Sequence, residues 1–207
     1  MQAFKLVKQH TNRFNDIAES FIGDGADGDV YTIKNDPNKV IKFSVYYIWD
    51  NEDLKKIVYS KLSNFREVQL NPSIFAKLYE YSFIAEGKRK IVDGEQDYLL
   101  FSCIMEKCFP ISEDEMKVFH SILSHEDNNI EKNFSIQKIE NMLKGMSIGL
   151  DFSHIKIMNF IKKIRSNNIK HTDAHPRNIM KDNLGNFKFI DFDRLKKIDH
   201  DLQINYT

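Results

Sequence analysis

The sequence predicts an α+β fold in two lobes: a five-stranded antiparallel sheet with one helix, followed by a reduced, mostly helical lobe. In the first half, runs of β-branched and aromatic residues alternate with Gly, Asp, Asn and Pro turn signals, which is typical of antiparallel strands. In the second half, apolar residues recur at helical spacing over residues 135–167. We expect the first lobe at residues 1–108 and the second at residues 109–207.

Composition limits the classes of partner and compartment. The 207 residues include 30 basic and 30 acidic side chains, and this balance gives no overall attraction to nucleic acid or anionic membranes. No apolar run approaches the roughly 20 residues that span a bilayer. The two cysteines, Cys103 and Cys108, are too few for a disulfide framework. We expect a cytoplasmic protein (bacterial, phage or host-cell cytosol) with no nucleic-acid partner and no membrane span.

A glycine-rich hairpin follows a lead-in of about twenty residues. Residues 23–28 carry the pattern G-x-G-x-x-G, and the alternating run V-Y-T-I at 30–33 predicts a strand after it. A dinucleotide-binding motif would need a helix there. The hairpin is either a lid whose backbone lies close over phosphates or a plain Gly/Asp turn. Its acids, Asp24, Asp27 and Asp29, would repel a polyphosphate unless they face solvent or a metal.

Lys42 lies in the next predicted strand, between Ile41 and Phe43. Because strand side chains alternate, it faces away from both neighbours. It is either a solvent-facing lysine or an ammonium group under the glycine hairpin, directed at phosphate oxygens. The spacing of the glycines, the turn at 35–38 and Lys42 favours the second interpretation.

The remaining elements follow from turn and cap signals. Ser112 and Glu115 match a capping box at a helix start. We expect a helix at 50–64 capped by Asp50 or Asn51, strands at 74–85 and 98–105 with turns at 86–87 and 93–94, a helix from Ser112 to about residue 125, and two helices within 135–167 divided near Gly145 and Gly149.

Oxygen-bearing side chains are concentrated at residues 171–193. Asp173 is followed five residues later by Asn178, and Asp191 comes after a predicted short hairpin. The residues around them are apolar, and polar groups held against a core are costly unless they bind something. A base, a carboxamide and an acid in this order could together hold a metal–phosphate.

The order of these parts resembles the protein-kinase-like superfamily, and the loop H-x-D-x-x-x-x-N is similar to that of aminoglycoside and sugar kinases. The resemblance implies an ATP- and Mg²⁺-dependent phosphotransferase. Asp173 would be the catalytic base, Lys42 would hold the α- and β-phosphates, and Asn178 and Asp191 would bind Mg²⁺. The implied nucleotide contacts are Gly23, Gly25, Gly28, Val30, Lys42, the gatekeeper Met105, and the hinge residues Glu106 and Cys108.

Several residues depart from the protein-kinase pattern. His175 stands where protein kinases usually carry lysine, which is similar to the aminoglycoside-kinase pattern. Asp193 stands where the metal motif usually has glycine, and it would bind a second Mg²⁺ or cap the next turn. The glutamate that should pair with Lys42 is either Glu52, early in the predicted helix, or Glu67, after it.

Only 14 residues follow Asp193, so we expect a reduced second lobe with an amphipathic tail. A protein partner could complete this lobe. The acceptor of the phosphate is a hydroxyl of a protein Ser/Thr or of a small molecule. The alternative function is that of a pseudokinase, a nucleotide-binding module that regulates a partner.

Overall fold

The computed structural model describes residues 2–25, 28–48, 52–92, 94–123, 141, 153–167, 169–171, 175–192 and 195–197. The chain divides into two compact units. The first unit consists of residues 1–72 and 76–107, and the second of residues 73–75 and 108–207. No helix among the described residues is both long enough and apolar enough to cross a membrane.

The first unit is built on an antiparallel sheet, which confirms the predicted α+β fold. Its five strands lie in the order β1-β2-β3-β5-β4, so β3 and β5 are central and β1 and β4 form the edges. The strands are β1 (Ala18–Gly25), β2 (Gly28–Ile33), β3 (Asp36–Tyr47), β4 (Leu78–Ile91) and β5 (Gly94–Glu106).

Two helices, α1 (Gln2–His10) and α2 (Leu54–Leu70), cover the two faces of this sheet. On one face, a core containing Phe43 and Leu100 packs against Val7 of α1. On the other, Phe65 of α2 stacks on Tyr81 with ring centroids 5.2 Å apart. Residues on both faces of the central strands are therefore buried, which explains the near-continuous apolar runs of β3 and β5.

The bounds of α2 differ from those predicted. Asp53 is its N-cap, because its carboxylate accepts hydrogen bonds from the backbone N–H of Lys55 at 2.9 Å and of Lys56 at 3.4 Å. The expected caps, Asp50 and Asn51, lie outside the described residues. The helix continues to Leu70, beyond the predicted end at residue 64.

β4 also differs from its prediction. It runs from Leu78 to Ile91, whereas residues 74–85 were expected. Gly87 does not mark a turn: it lies inside β4, where a Cβ atom would come within 2.5 Å of the Tyr98 hydroxyl. The β4–β5 turn follows Ile91, as the Asp93-Gly94 signal predicts, and Gly94 has a φ of +138°.

The second unit combines helices with short strands around an aromatic core. Phe119 packs edge to face on Phe187 at 5.0 Å, and Phe160 packs on Phe189 at 5.3 Å. Strands β6, β8 and β9 form one sheet, and β7 pairs with β10. The elements are β6 (Phe109–Pro110), α3 (Glu113–Leu123), α4 (Ser153–Ser166), β7 (Ile169–His171), β8 (Ile179–Lys181), β9 (Phe187–Phe189) and β10 (Leu195–Lys197).

Two predictions for the second unit lie mostly outside the described residues. Of the amphipathic tail expected after Asp193, residues 195–197 are described, and they form β10, in which Leu195 pairs with His171. Of the first helix expected within 135–167, only residue 141 is described, and α4 corresponds to the second helix.

The predicted capping box of α3 is confirmed. Ser112 N–H donates to Glu115 Oε2 at 2.9 Å, and Glu115 N–H donates to Ser112 Oγ at 3.3 Å. Lys181 of β8 lies 2.6 Å from Glu115 Oε1. Burial alone would raise the pKa of Glu115, but the bonds from Lys181 and Ser112 together lower that pKa below its usual value.

We expect Glu115→Gln to lower the free energy of unfolding at pH 7 by about 1–3 kcal/mol, because it removes the charged partner of Lys181. Since the folded-state pKa is depressed, the contribution of the carboxylate is complete above the unfolded-state pKa of about 4.3. It is lost as the pH falls through the folded-state pKa. Urea denaturation of the wild type and of Glu115→Gln at pH values from 7 downward should show that the difference between their free energies of unfolding decreases. An equal loss in Glu113→Gln, an exposed residue of the same turn, would contradict this assignment.

Candidate functional site

The glycine hairpin forms as predicted, with β1 pairing with β2 as far as Gly25 and Gly28. The structure requires glycine at one position of this hairpin and not at another. A Cβ atom on Gly28 would collide with the backbone carbonyl oxygen of Phe43 in β3, whereas nothing lies within 4 Å of a Cβ on Gly23. Sheet packing therefore requires glycine at position 28, and it leaves position 23 available for a ligand-related role.

This difference predicts opposite outcomes for two alanine substitutions. Gly28→Ala should lower the free energy of unfolding by about 1–3 kcal/mol, because β2 or β3 must shift to relieve the collision. Gly23→Ala should change stability by less than about 0.5 kcal/mol, as is usual away from packed features. Urea denaturation of both variants measures the two effects. A Gly28→Ala variant as stable as Gly23→Ala would show that β2 and β3 are not in close contact.

One of the three acids of the hairpin, Asp29, has a structural role on the α1 face of the sheet. Asp29 is 2% exposed and accepts a hydrogen bond from the backbone N–H of Phe4 at 3.0 Å, so it caps the first turn of α1. Asp24 is exposed, and Asp27 lies outside the described residues. Asp29 therefore does not add to the repulsion of a polyphosphate that the three carboxylates were expected to cause, since it belongs to the α1 face of the sheet.

Lys42 lies on the opposite face, together with two of the predicted nucleotide contacts. In the sheet, Lys42 pairs with Val30 of β2 on one side and with Cys103 of β5 on the other. Met105 of β5 pairs with Val40, which is two residues before Lys42 in β3. Because residues two apart on paired strands share a face, Val30, Lys42 and Met105 all project toward the α2 face. Lys42 is half-buried rather than solvent-facing.

Both candidate partners of Lys42 have other contacts. Glu67 lies within α2, so the expectation that it follows the helix is wrong, and its Oε1 accepts a hydrogen bond from Asn71 Nδ2 at 2.8 Å. Glu52 precedes the helix and accepts from the Tyr46 hydroxyl at 3.3 Å. The choice between them stays a prediction.

The predicted hinge begins at the end of β5. Met105 is buried between β3 and β4. Glu106 N–H donates to the carbonyl of Lys77 at 2.9 Å, and its carboxylate accepts from Lys77 N–H at 2.6 Å. A ligand at this position would therefore meet the carbonyl group of Glu106 rather than its N–H. Cys108, which is half-buried, is the first residue of the chain's return to the second unit.

The β8–β9 hairpin places Asn178 and Asp191 at the same end. Ile179 pairs with Phe189, and Ile190 N–H donates to the carbonyl of Asn178 at 3.0 Å. Asn178 and Asp191 consequently lie at the same end of the hairpin, both half-buried. Phe192, directly after Asp191, is buried against Phe75 with centroids 6.0 Å apart, which anchors the backbone of the acid.

This pair fits a magnesium ion. Mg²⁺ usually takes one or two protein oxygen ligands and keeps its remaining positions for waters and substrate phosphates. An aspartate and an asparagine side chain supply such hard oxygens. No group of three or more His, Cys, Asp or Glu side chains suited to a metal occurs among the described residues. A dedicated cage of protein ligands is therefore not formed by that part of the chain.

The loop between β7 and β8 carries the predicted base. Asp173 lies outside the described residues, as does Asp193. His175 Nδ1 accepts from Arg177 N–H at 3.2 Å and so caps a 3₁₀ turn at Pro176–Asn178. His175 thus fixes the turn that ends at Asn178. Sequence reasoning missed this role, although a cap followed by proline at the first helical position is its usual signal.

The sheet order, with α2 between β3 and β4, is consistent with the protein-kinase-like fold that the sequence resemblance implies. No protein-family profile and no curated protein matches the sequence. Solved structures with similar folds include "ROP18 kinase domain in complex with AMP-PNP and sucrose", with 13% identity over 87% of this chain and 52% of that chain, at a TM-score of 0.48.

Two further structures are similar. ROP2 from Toxoplasma gondii, described as a virulence factor with a protein-kinase fold and no enzymatic activity, is 10% identical over 87% of this chain and 50% of that chain, at a TM-score of 0.47. WbdD is 15% identical over 88% of this chain and 34% of that chain, at 0.37. The chain thus spans about half the length of the first two structures, or less for the third.

Proposed function

We propose that this protein is an ATP- and Mg²⁺-dependent phosphotransferase that moves the γ-phosphate to a hydroxyl group. The observation that carries the proposal is that Asn178 and Asp191 lie at the same end of the β8–β9 hairpin, where Ile190 N–H donates to the carbonyl of Asn178 at 3.0 Å. Two side chains with hard oxygen atoms at one end of a hairpin suit a metal ion that also binds phosphate.

The first unit supplies the nucleotide contacts in this proposal. Lys42 would hold the α- and β-phosphates with its ammonium group, and Val30 and Met105, on the same face of the sheet, would contact the base. The backbone of Gly23, Gly25 and Gly28 would lie over the phosphates. Glu106 and Cys108 would offer backbone groups to adenine.

The second unit supplies the groups that act on the transferred phosphate. Asn178 and Asp191 would hold Mg²⁺, which would supply positive charge to the phosphate oxygens. Asp173 would orient the acceptor hydroxyl and take its proton as the new O–P bond forms. Phosphoryl transfer depends on positioning and charge stabilisation more than on covalent catalysis, and these side chains are of the types that provide both.

The test of this proposal is transfer from γ-³²P-ATP to a protein panel and to a sugar and aminoglycoside panel. We expect label in one acceptor class, and a loss of about 10²–10⁴-fold in Asp173→Ala, the range typical of general-base catalysis. Label transferred at an undiminished rate by Asp173→Ala would contradict its role. The labelled class identifies the acceptor, and a requirement for added lysate would indicate a partner that completes the second lobe.

A second candidate is a nucleotide-binding pseudokinase that regulates a partner protein. It is favoured by Asp24, an exposed carboxylate between Gly23 and Gly25, where it would oppose a polyphosphate. The two candidates differ in a thermal-shift measurement with ATP, with and without Mg²⁺, followed by the transfer assay. Stabilisation by the nucleotide without transfer or hydrolysis would refute the enzyme and support the pseudokinase.

A further inference from the structure

A basic cavity of about 350 Å³ lies within the second unit, apart from every residue assigned above to nucleotide, metal or acceptor. Its walls are α4, the end of the β8–β9 turn and Ser73, a residue of the 73–75 segment. Lys156, Lys162 and Lys163 of α4 line it. Three lysines at one concave surface are notable in a chain whose 30 basic and 30 acidic residues balance overall.

The walls of the basic cavity are fixed by hydrogen bonds. Lys156 Nζ donates to the carbonyls of Leu184 at 2.9 Å and Gly185 at 3.1 Å, which ties α4 to the β8–β9 turn. Phe189 N–H donates to the carbonyl of Ile74 at 2.9 Å, which ties the 73–75 segment to β9. The cavity is therefore formed by the folded unit itself and not by a loose surface loop.

The charge of the basic cavity is not offset by its own walls. No acidic residue lines it within the described part of the chain. Asp182, the acid of the neighbouring turn, is buried, accepts hydrogen bonds from Asn186, and lies 3.7 Å from Lys188. Lys162 and Lys163 are exposed and form no ion pair with any described residue. Within the described part of the chain, nothing neutralises the charge of their ammonium groups.

The neutral part of the lining completes the character of the site. Asn159 follows Lys156 by three residues and precedes Lys163 by four, so these side chains share one helical face. Asn186 lines the cavity from the turn. One hydrogen of its side-chain amide donates to Asp182 at 3.0 Å, and the other hydrogen and the amide of Asn159 can donate to acceptor oxygens. The rings of Phe160 and Phe187, which are almost fully buried, form the floor.

We propose that the basic cavity binds a small molecule that carries two or more phosphate groups. Ammonium groups act as point charges toward phosphate, and each phosphate offers several strong acceptor oxygens to the amides. The volume lies at the lower end of the range for small-molecule sites, about 300–1,000 Å³. A compact polyanion fits this volume and charge, and the site is independent of the proposed phosphotransferase.

Isothermal titration calorimetry with inorganic pyrophosphate tests the proposal without a nucleobase. We expect binding by the wild type, and binding weakened about tenfold or more in the double variant Lys162→Gln/Lys163→Gln, because two charge-assisted contacts are lost. The matched control is Lys55→Gln/Lys56→Gln, an adjacent pair of exposed lysines on α2 that does not line the cavity. This control should bind pyrophosphate as the wild type does.

Other outcomes would overturn the inference. They are the absence of wild-type binding, unchanged binding in Lys162→Gln/Lys163→Gln, and equal weakening in the control pair. Loss of binding in Lys42→Ala instead would place pyrophosphate at the candidate nucleotide site. Tighter binding of a doubly phosphorylated peptide than of pyrophosphate, also sensitive to Lys162 and Lys163, would replace the small molecule by a protein partner. Failure of phosphoryl transfer would leave the expected titration result unchanged.

Discussion

Under the proposed phosphotransferase function, Asp191→Asn is expected to lower phosphoryl transfer by about 10²–10³-fold or more, because Asp191 would be a preorganised group that stabilises transition-state charge. The substitution keeps the size of the side chain and removes its charge. Since Phe192 remains buried against Phe75, the backbone at position 191 should stay in place. The rate of label transfer from γ-³²P-ATP and the Mg²⁺-dependent part of the thermal shift with ATP should both fall.

The control for Asp191→Asn is Asp114→Asn. Asp114 is an exposed acid of α3 in the same unit, and among the described residues its ion pair is the surface pair with Lys117 at 3.2 Å. Its removal should leave transfer unchanged. Near-normal transfer by Asp191→Asn, with Mg²⁺ still required, would show that the metal is held elsewhere.

Phe189→Ala is expected to lower the free energy of unfolding by about 3–5 kcal/mol. Phe189 is fully buried, and its ring lies 5.3 Å from that of Phe160 and 6.1 Å from that of Phe75. Truncation leaves a cavity that rigid neighbours cannot fill. Urea denaturation followed by circular dichroism measures the loss, which is a large fraction of the stability of an ordinary domain.

Leu184→Ala is the matched control for Phe189→Ala. Leu184 lies in the turn of the same hairpin, and its side chain is 73% exposed. Its truncation should change stability by less than about 0.5 kcal/mol, as is typical of surface positions. Comparable losses in the two variants would mean that the aromatic core does not stabilise the second unit.

The sheet was predictable because its signals are local. Alternation after Gly28 and the turn residues at 35–38 and 93–94 indicate strands and hairpins without knowledge of tertiary contacts. The predictions fail where a residue distant in the sequence determines the local structure. Gly87 is of a residue type that is common in turns, yet it lies in β4. Glycine is needed there since the Tyr98 ring occupies the space that a Cβ atom would need. No local signal contains that information.

The candidate site was predictable in part for the same reason. The spacing of Asn178 and Asp191 implies a hairpin, and the hairpin is present. The role of Asp29 was not predictable, because an acid beside a glycine pattern gives no sign that it faces a helix 25 residues away. Pairing of β7 with β10 was missed because both strands have only three residues, too short for a periodic signal.

The edge position of β1 has a consequence for local opening of the sheet. Among the described strands, β1 pairs with β2 alone, whereas β5 pairs with strands on both sides. Register shifts between Ala18 and Gly23 further interrupt the β1–β2 ladder. Amides of β1 should therefore exchange with deuterium faster than those of β5, since edge segments open at a lower free energy. Lys42 lies in β3, which pairs with β2 and β5, so opening at β1 leaves the strand pairing of Lys42 in place.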